Sequence, residues 1–335
     1  MRVKLAHGAG GRETHELIDK LILSRVKIGR IDKGIGVFEL DDGSTIPMGE
    51  MHVVISTDSY TVHPLFFPGG DIGKLAAVGS INDVVVMGAK PVAMLDAIVV
   101  EEGFPMKSLE TIMNSMLRVL TEEGVALLGG DVKVMPRGGV DGVVITTTCI
   151  GVTDKVITDS GLVPGDSIVI SGTIAEHGAT IMALQAGLEV EGELKSDCEP
   201  LTKVIEIAKS IGEIHAAKDI TRGGLASSLN ELAEKSNVTI LVDEDKIPIS
   251  ENVRVYCEML GIDPLVLASE GRALIGIPSS RAEELVRELR KAGYRQATII
   301  GRVVDRSRYN VLLETVAGGR RILEKPLGEI VPRIC

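Results

Sequence analysis

The order of the hydrophobic patterns constrains the fold of this chain more than any other feature. Two successive series of strand and helix patterns are separated by segment 152–165, which ends in the turn-forming sequence Val163-Pro164-Gly165-Asp166. In the first series we predict strands at 37–40, 53–57, 92–100, 125–128 and 142–151, with helices at 71–88 and 106–123. In the second we predict strands at 167–171, 238–242, 273–277, 297–304 and 310–316, with helices at 175–186, 200–212, 224–235 and 280–292.

This order predicts a mixed α/β (α+β) fold of two domains, each with a sheet and covering helices. The length of 335 residues is sufficient for two hydrophobic cores. The predicted boundaries are a glycine-rich N-terminal segment at 1–34, an N-terminal domain at 35–153, a C-terminal domain at 164–320 and a mobile tail at 321–335.

Charge and cysteine content exclude several classes of function. The net charge of −11 argues against nucleic acid or an anionic membrane as the main partner, because both attract basic surfaces. We also expect no signal peptide and no membrane span. The four cysteines show no CxxC spacing, so they are predicted to be cytosolic thiols, not disulfides or a zinc site. The predicted location is the cytoplasm.

The sequence ends in a cysteine, Cys335, on a tail with neither helix nor strand periodicity. Terminal residues are usually disordered and without function. An exposed terminal thiol is a redox liability, however, and ten extended residues reach about 33–36 Å. We therefore predict that the tail carries this thiol into a distant pocket.

Four aspartates occupy positions that suit a metal site. Asp83 lies in a helix that is apolar on nearly all sides, where an unpaired charge is costly. Asp58 ends an apolar strand, Asp131 follows the Gly129-Gly130 pair, and Asp219 precedes a helix. Taken alone, each of the last two is better explained as a turn or capping residue. Together the four carboxylates are hard oxygen ligands that suit Mg²⁺ shared with a triphosphate, although the sequence contains no Walker A motif and no Rossmann glycine motif.

Two further residues are candidates for chemistry. Lys133 lies two residues after Asp131, so both side chains face the same way on an extended segment, and the lysine is placed to contact a phosphate. Glu270 follows an apolar stretch and precedes a glycine, where burial would raise its pKa toward that of a general base. A surface lysine and a turn glutamate explain the same patterns equally well.

These motifs resemble those of the HypE family of hydrogenase maturation factors, within the aminoimidazole ribonucleotide synthetase-like superfamily. The resemblance covers essentially the whole chain. The motifs that carry it are Gly8-Ala9-Gly10-Gly11, Thr57-Asp58-Ser59, Asn82-Asp83, Met87-Gly88-Ala89-Lys90-Pro91, Gly129-Gly130-Asp131-Val132-Lys133, Asp219-Ile220-Thr221-Arg222-Gly223-Gly224 and Pro332-Arg333-Ile334-Cys335.

The resemblance implies an ATP-dependent dehydratase that converts an S-carboxamide on its own Cys335 to a thiocyanate, the cyanide donor for the iron of [NiFe]-hydrogenase. It implies ATP bound near Asn82, Asp83, Gly129, Gly130 and Asp131. It also implies Mg²⁺ on Asp58, Asp83, Asp131 and Asp219, and catalysis by Cys335, Lys133 and Glu270. The implied partners are the carbamoyltransferase HypF, the HypC–HypD scaffold and a second copy of the chain, whose N-terminal domain completes a barrel.

Two alternatives remain open at this point. Another superfamily activity, such as a purine cyclo-ligase, a thiamine phosphate kinase or a selenophosphate synthetase, would share the acidic motifs but would not need the last four residues. A metal-handling chaperone would use the terminal thiol for delivery, but one thiol without neighbouring His or Cys is a weak site for a soft metal.

Overall fold

The structure is a computed structural model that describes residues 2–8, 10–190, 194–328 and 333–335. The N-terminal half begins with a 3₁₀ turn (Leu5–Gly8), helix α1 (Arg12–Ile18) and a π-helical turn (Asp19–Leu23). The elements that follow are β1 (Ser44–Met48), β2 (Met51–Tyr60), β3 (Phe66–Phe67), β4 (Gly70–Asp71), α2 (Ile72–Val86), β5 (Lys90–Glu101), α3 (Met106–Glu123), β6 (Ala126–Met135) and β7 (Val143–Thr153).

The C-terminal half forms a second α/β unit. Its elements are β8 (Asp166–Ile170), α4 (Glu176–Gln185), α5 (Thr202–Ile211), β9 (Ala216–Asp219), α6 (Gly224–Lys235), β10 (Thr239–Asp243), α7 (Glu251–Leu260), β11 (Ala273–Pro278), α8 (Ser279–Lys291), β12 (Thr298–Val304), β13 (Val311–Glu314) and β14 (Arg320–Ile322), with 3₁₀ turns at Glu244–Lys246 and Pro264–Val266.

Each half has its own sheet, which confirms the predicted two-domain mixed α/β fold. The N-terminal sheet has the strand order β1-β2-β7-β5-β6, in which only β5 and β6 run parallel. The C-terminal sheet has the order β14-β13-β10-β12-β8-β11-β9. Strand β7 alternates buried and half-buried residues along its whole length, because helix α2 covers only one face of its sheet.

Helix α2 joins the two halves. Asp71 caps it by accepting hydrogen bonds from the backbone amides of Gly73 and Lys74, at 2.8 and 3.1 Å. Almost every residue of α2 is buried, because the helix packs on the N-terminal sheet on one side and contacts β9 and α5 of the other domain on another. A helix that is apolar all round is therefore explained by burial between two domains.

The structure differs from the sequence predictions in several elements. The strand predicted at 37–40 is wrong: those residues form turns, and the first strand begins at Ser44. Strand β6 does not end at Leu128, because a bulge at that residue lets the pairing with β5 continue to Met135. Strands β1, β3, β4, β9 and β14 and helix α7 were not predicted. Within the described residues, no helix is long and apolar enough to cross a membrane.

Candidate active site

Asp83 is a buried carboxylate at the centre of the candidate site. It lies on α2 and accepts a hydrogen bond from the Ser56 hydroxyl of β2 at 2.6 Å. Burial raises the pKa of Asp83 well above its ordinary value, and the nearby charges of Asp58 and Asp219 raise it further. The unpaired mid-helix carboxylate predicted from the sequence is therefore present, and its neighbours are other carboxylates.

Asp58 and Asp219 come from different domains and meet beside Asp83. Asp58 is near the end of β2, and Asp219 is the last residue of β9. Burial raises the pKa of Asp219 to about 8, with a further contribution from Asp42. Burial also raises the pKa of Asp58, although the Arg222 guanidinium, 4.0 Å away, opposes this shift. Three of the four predicted metal ligands are thus brought together.

The sequence analysis did not single out Asp42, which follows the predicted strand at 37–40. Its carboxylate forms an ion pair with the buried Lys218, and its charge acts on Asp58, Asp83 and Asp219. Burial opposes charge on Lys218, but Asp42, Glu231 and Asp159 outweigh it and raise the lysine pKa. The available signal was the Asp41-Asp42 pair, since two adjacent carboxylates are unusual in a simple hairpin turn. Burial and the charge of Asp159 raise the pKa of Asp41 to about 7.

The donor set fits a bound cation. One carboxylate oxygen of each of Asp42, Asp219 and Glu270 is buried and has no hydrogen-bond partner among the described residues. A buried carboxylate oxygen without a partner is costly, and a hard divalent cation would satisfy it. No three His, Cys, Asp or Glu side chains in the described ranges are already grouped tightly enough to hold a metal alone. The arrangement therefore suits Mg²⁺ that takes its remaining ligands from a nucleotide.

The small residues on the Asp83 face of α2 make room for a protein side chain. A Cβ added at Gly79 would lie 2.1 Å from the Tyr60 hydroxyl oxygen. The Tyr60 ring is buried, and its hydroxyl lies 3.5 Å from the Ser80 hydroxyl. The space beside Gly79 is thus filled by the Tyr60 side chain.

Asn82 connects α2 to the loop that carries Glu270. Its amide nitrogen donates to the backbone carbonyls of Glu199 and Glu270, at 3.2 and 3.1 Å, and its oxygen accepts from the backbone amide of Leu201 at 2.8 Å. Both polar atoms of the Asn82 side chain therefore have partners within the protein. The role in ATP binding expected for it stays a prediction, and the contacts indicate that it positions Glu270.

Glu270 is buried and faces the carboxylate cluster. Burial raises its pKa well above the ordinary value, with contributions from Asp219 and Asp197, while Arg222 lowers it. The backbone amide of Glu270 donates to Asp197 at 3.0 Å. The predicted environment of a desolvated glutamate is therefore present.

The last three residues are docked in this same site. The backbone amide and hydroxyl of Thr61 donate to a main-chain oxygen of Cys335 at 3.0 and 3.2 Å, and the His63 amide donates to the Arg333 carbonyl at 3.0 Å. Cys335 lines a cavity of about 240 Å³ together with Arg222. Burial raises the pKa of the Cys335 thiol to about 12, Arg222 opposes the shift, and Glu270, Asp58 and Asp219 add to it. The thiol therefore lies close enough to the carboxylates of Glu270, Asp58 and Asp219 for their charges to affect its pKa. Pro332, the first residue of the terminal motif, lies outside the described residues.

Asp131 and Lys133 lie elsewhere. Both are on β6, where they face the same way as predicted and pair at 3.4 Å. All ten residues of this edge strand are exposed, and the two side chains are 64% and 68% accessible. Gly129 and Gly130 also lie within the strand, not in a phosphate-binding loop. A single chain therefore does not bring these four predicted residues to Asp58, Asp83, Asp219, Glu270 and Cys335.

The N-terminal glycine motif packs against the residue that faces the thiol. Gly10 has φ +76, and a Cβ there would lie 2.8 Å from the Arg222 Cβ. Only glycine combines this conformation with so close an approach. Gly8 lines the Cys335 cavity, whereas Ala9 lies outside the described residues.

Two domain families cover most of the chain and define its class. The family described as "AIR synthase related protein, N-terminal domain" matches residues 40–153, and the corresponding "C-terminal domain" family matches residues 163–314. The fold and the acidic site between the two domains therefore belong to an AIR synthase related protein.

Relatives define the family more narrowly. A putative hydrogenase expression/formation protein of Methanocaldococcus jannaschii is 44% identical over 100% of both chains. Carbamoyl dehydratase HypE of Azotobacter vinelandii is 41% identical, covering 99% of this chain and 97% of the relative. The chain belongs to the HypE family.

Solved structures agree with this assignment. A hydrogenase maturation protein HypE in complex with ATP is 39% identical over 100% of both chains, with a TM-score of 0.81. HypE from a HypE–HypF complex is 36% identical, covers 94% of this chain and 100% of that one, and gives a TM-score of 0.85.

Proposed function

We propose that this protein is an ATP-dependent carbamoyl dehydratase that acts on its own Cys335. The observation that carries the proposal is the position of the Cys335 thiol, which is docked within the field of Glu270, Asp58 and Asp219. Relatives that bear the name carbamoyl dehydratase favour this activity over that of a purine cyclo-ligase, a thiamine phosphate kinase or a selenophosphate synthetase. A HypE solved with ATP favours it over a metal-handling chaperone.

The proposed reaction starts from a carboxamide on sulfur, –S–C(=O)NH₂. Its oxygen attacks the γ-phosphorus of ATP, the P–O bond to ADP breaks, and the oxygen becomes part of a phosphate ester. Removal of the protons from nitrogen then lets the C–O bond break with its electron pair, which releases phosphate and leaves –S–C≡N. The balance is carboxamide and ATP in, thiocyanate, ADP, phosphate and a proton out.

Glu270 is the proposed base for the nitrogen protons. Its burial makes the carboxylate a stronger base than an exposed glutamate, and the positive charge of Arg222 opposes part of the rise in its pKa. Asn82 and Asp197 hold its backbone, so the carboxylate has a fixed position relative to the docked tail. Burial also excludes the water that would hydrolyse the phosphorylated intermediate.

We propose that Asp58, Asp83 and Asp219, together with Asp42, hold Mg²⁺. The ion supplies charge neutralisation of the triphosphate. The support is the set of unpartnered buried oxygens and the raised pKa values of Asp58, Asp83 and Asp219, since burial disfavours these charges and neighbouring carboxylates add to the deficit of positive charge. Lys218 offsets only part of this deficit.

We propose that four residues of β6 reach a nucleotide only in a homodimer. They are Gly129, Gly130, Asp131 and Lys133. Strand β6 is an exposed edge of its sheet and carries apolar side chains such as Val132 and Val134. The unpaired backbone groups of such an edge are a template for pairing with another chain. We propose that two N-terminal sheets close a barrel and that β6 thereby supplies the fourth aspartate and the lysine for the developing phosphoryl charge.

We further propose that HypF loads the carbamoyl group and that the HypC–HypD scaffold accepts the cyano group. A HypE–HypF complex has been solved for a relative 36% identical to this chain.

We propose that the protein works in the cytoplasm. All four cysteines are free thiols in the structure, which supports a reducing compartment.

Mass spectrometry of the Cys335 peptide tests the function directly. After incubation with HypF, carbamoyl phosphate and ATP, the carbamoylated peptide should become lighter by one water. Glu270→Gln should stop at the carbamoylated peptide, Cys335→Ala should show neither modification, and Cys257→Ala should behave as wild type because Cys257 is a buried thiol on α7. Dehydration without ATP, or on a peptide that lacks Cys335, would exclude the proposal.

A further inference from the structure

The docked tail is held from both domains at once. Thr61 and His63, which follow β2, hold main-chain oxygens of Cys335 and Arg333. Between them, the Ile334 carbonyl lies 2.7 Å from Nε2 of His177, a buried residue of helix α4 in the C-terminal domain. The residue that precedes Cys335 is thus contacted by a buried side chain of the C-terminal domain.

The contacts of His177 define its hydrogen positions. A carbonyl oxygen only accepts, so Nε2 must carry the hydrogen. Nδ1 then accepts from the Ser196 hydroxyl at 2.7 Å. The Ser196 oxygen also accepts a hydrogen bond from the Cys198 amide at 3.2 Å, which leaves the hydroxyl hydrogen for His177. The edge-on contact with Phe67, at 5.4 Å between centroids, holds the ring in place, and burial lowers the pKa of His177 so that it remains neutral.

His177 is built on the same support as Glu270. One oxygen of Asp197 accepts from the backbone amides of both residues, at 3.2 Å from His177 and 3.0 Å from Glu270. The Gly178 amide also donates to the Ala268 carbonyl at 2.9 Å. Ala175, two residues before His177, has the left-handed φ of 69, a conformation that is costly for a residue other than glycine and that brings the chain into α4 at this place.

We propose that His177 is a tail-positioning residue, which fixes the carbonyl of Ile334 and thereby sets the distance between the Cys335 sulfur substituent and Glu270. Because Thr61 holds a main-chain oxygen of the next residue from the opposite domain, the sulfur can reach its docked place only when both domains grip the tail. The histidine acts through the peptide and not on the reacting atoms. Its effect on dehydration rests on the proposed function, but its effect on docking does not.

Alkylation of the Cys335 thiol in the full-length protein measures docking without any catalysis. The other three cysteines are buried, so an iodoacetamide-modified peptide reports on Cys335 alone in the folded chain. His177→Ala should raise the alkylation rate about tenfold, because the substitution removes one hydrogen bond and leaves the Ile334 carbonyl without its partner. Ser196→Ala keeps the ring but removes the donor to Nδ1, so we expect a smaller increase of about three- to fivefold.

A matched control separates docking from general destabilisation. His215→Gln removes another half-buried histidine, which contacts Asp166 at 2.9 Å and is not in contact with the tail. It should lower the thermal midpoint without changing the alkylation rate. Wild-type alkylation in both His177→Ala and Ser196→Ala proteins that remain folded would overturn the proposal. Faster alkylation supports it even if no dehydration occurs, and in that case the proposed function alone fails.

Single-turnover dehydration of the carbamoylated chain provides the second readout. If His177 positions the tail, the rate for His177→Ala should fall by about the same factor as docking, while the affinity for ATP stays at the wild-type value. A loss of ATP affinity with unchanged alkylation would instead place His177 in nucleotide binding and would overturn the positioning role.

Discussion

The side-chain amide of Asn82 donates a hydrogen bond to the backbone carbonyl of Glu270 at 3.1 Å. This bond joins helix α2 of one domain to the loop of the other domain that carries the candidate base. Asn82 also bonds the backbone of Glu199 and Leu201, so a single side chain fixes two segments of the C-terminal domain. The position of Glu270 therefore depends on the contact between the domains.

Asn82→Ala should uncouple Glu270 from α2. The variant leaves the buried amide of Leu201 without a partner, so the free energy of unfolding should fall by about 1–3 kcal/mol in urea titrations. Dehydration of carbamoylated Cys335 should slow, while ATP affinity measured by calorimetry should hold. If ATP affinity is lost and stability is kept, Asn82 contacts the nucleotide, as its place in the sequence motif first indicated.

Asp83→Asn should stabilise the protein in the absence of metal. The substitution removes a buried charge beside Asp58 and Asp219, and the new amide oxygen still accepts from Ser56. We expect a gain of about 1–2 kcal/mol in unfolding free energy at pH 8 and a loss of ATP-dependent dehydration of about 100-fold or more. The exposed substitution Asp154→Asn is the control and should change neither quantity. A destabilised Asp83→Asn protein would argue against a strained carboxylate cluster.

The sequence predicted the site residues that local pattern determines and missed those that only the domain contact creates. Asp83 was evident because a carboxylate in an all-apolar helix needs an explanation, and Asp58 and Asp219 followed from apolar strands and glycine turns. His177 gave no signal, since a histidine near a helix start is ordinary until the tail is placed against it. Local pattern did not single out Asp42, because its partner Lys218 lies far away in the sequence, in the other domain. Asp131 and Lys133 show the converse, since their motif is intact while the single chain leaves them exposed.

Metal-free protein should lose stability as the pH rises. The folded-state pKa of Asp219 is raised to about 8 from an ordinary 3.8, so the folded protein binds this proton more tightly than the unfolded chain does. The contribution of this proton to the free energy of unfolding is complete below pH 3.8 and is lost as the pH rises to about 8. The free energy of unfolding falls by up to about 1.4 kcal/mol per pH unit for each such carboxyl. Asp58, Asp83 and Glu270 shift in the same direction.

Thermal unfolding from pH 5 to pH 8 measures this effect. The fall in the midpoint should be steeper in EDTA than with Mg²⁺ and ATP, because a cation replaces the protons. Asp219→Asn should flatten the EDTA curve. Parallel curves with and without Mg²⁺ and ATP would show that the cluster does not hold the ion.

The uncarbamoylated tail should leave its docked place at high pH. The pKa of the Cys335 thiol is raised to about 12 in the docked state from an ordinary 9.0, so the site prefers the neutral thiol. Docking is fully supported below pH 9 and weakens as the pH rises from 9 toward 12. Trypsin cleavage of the tail should therefore accelerate in that window. The carbamoylated chain has no thiol proton to lose, so its cleavage rate should not show this rise; an equal rise in both forms would indicate general unfolding.

The exposed edge strand β6 should decide whether the chain pairs with a second copy. Val132 and Val134 are 62% and 66% exposed on a strand that also carries Asp131 and Lys133. Val134→Lys places a charge on the edge and should shift the chain toward monomer in sedimentation experiments. Val163→Lys, on an exposed valine of the loop between the domains, is the matched control and should not. If Val134→Lys is a folded monomer that still dehydrates carbamoylated Cys335 at the wild-type rate, then Asp131 and Lys133 of a second copy have no part in the reaction; a rate lost together with the dimer means that the site needs both chains.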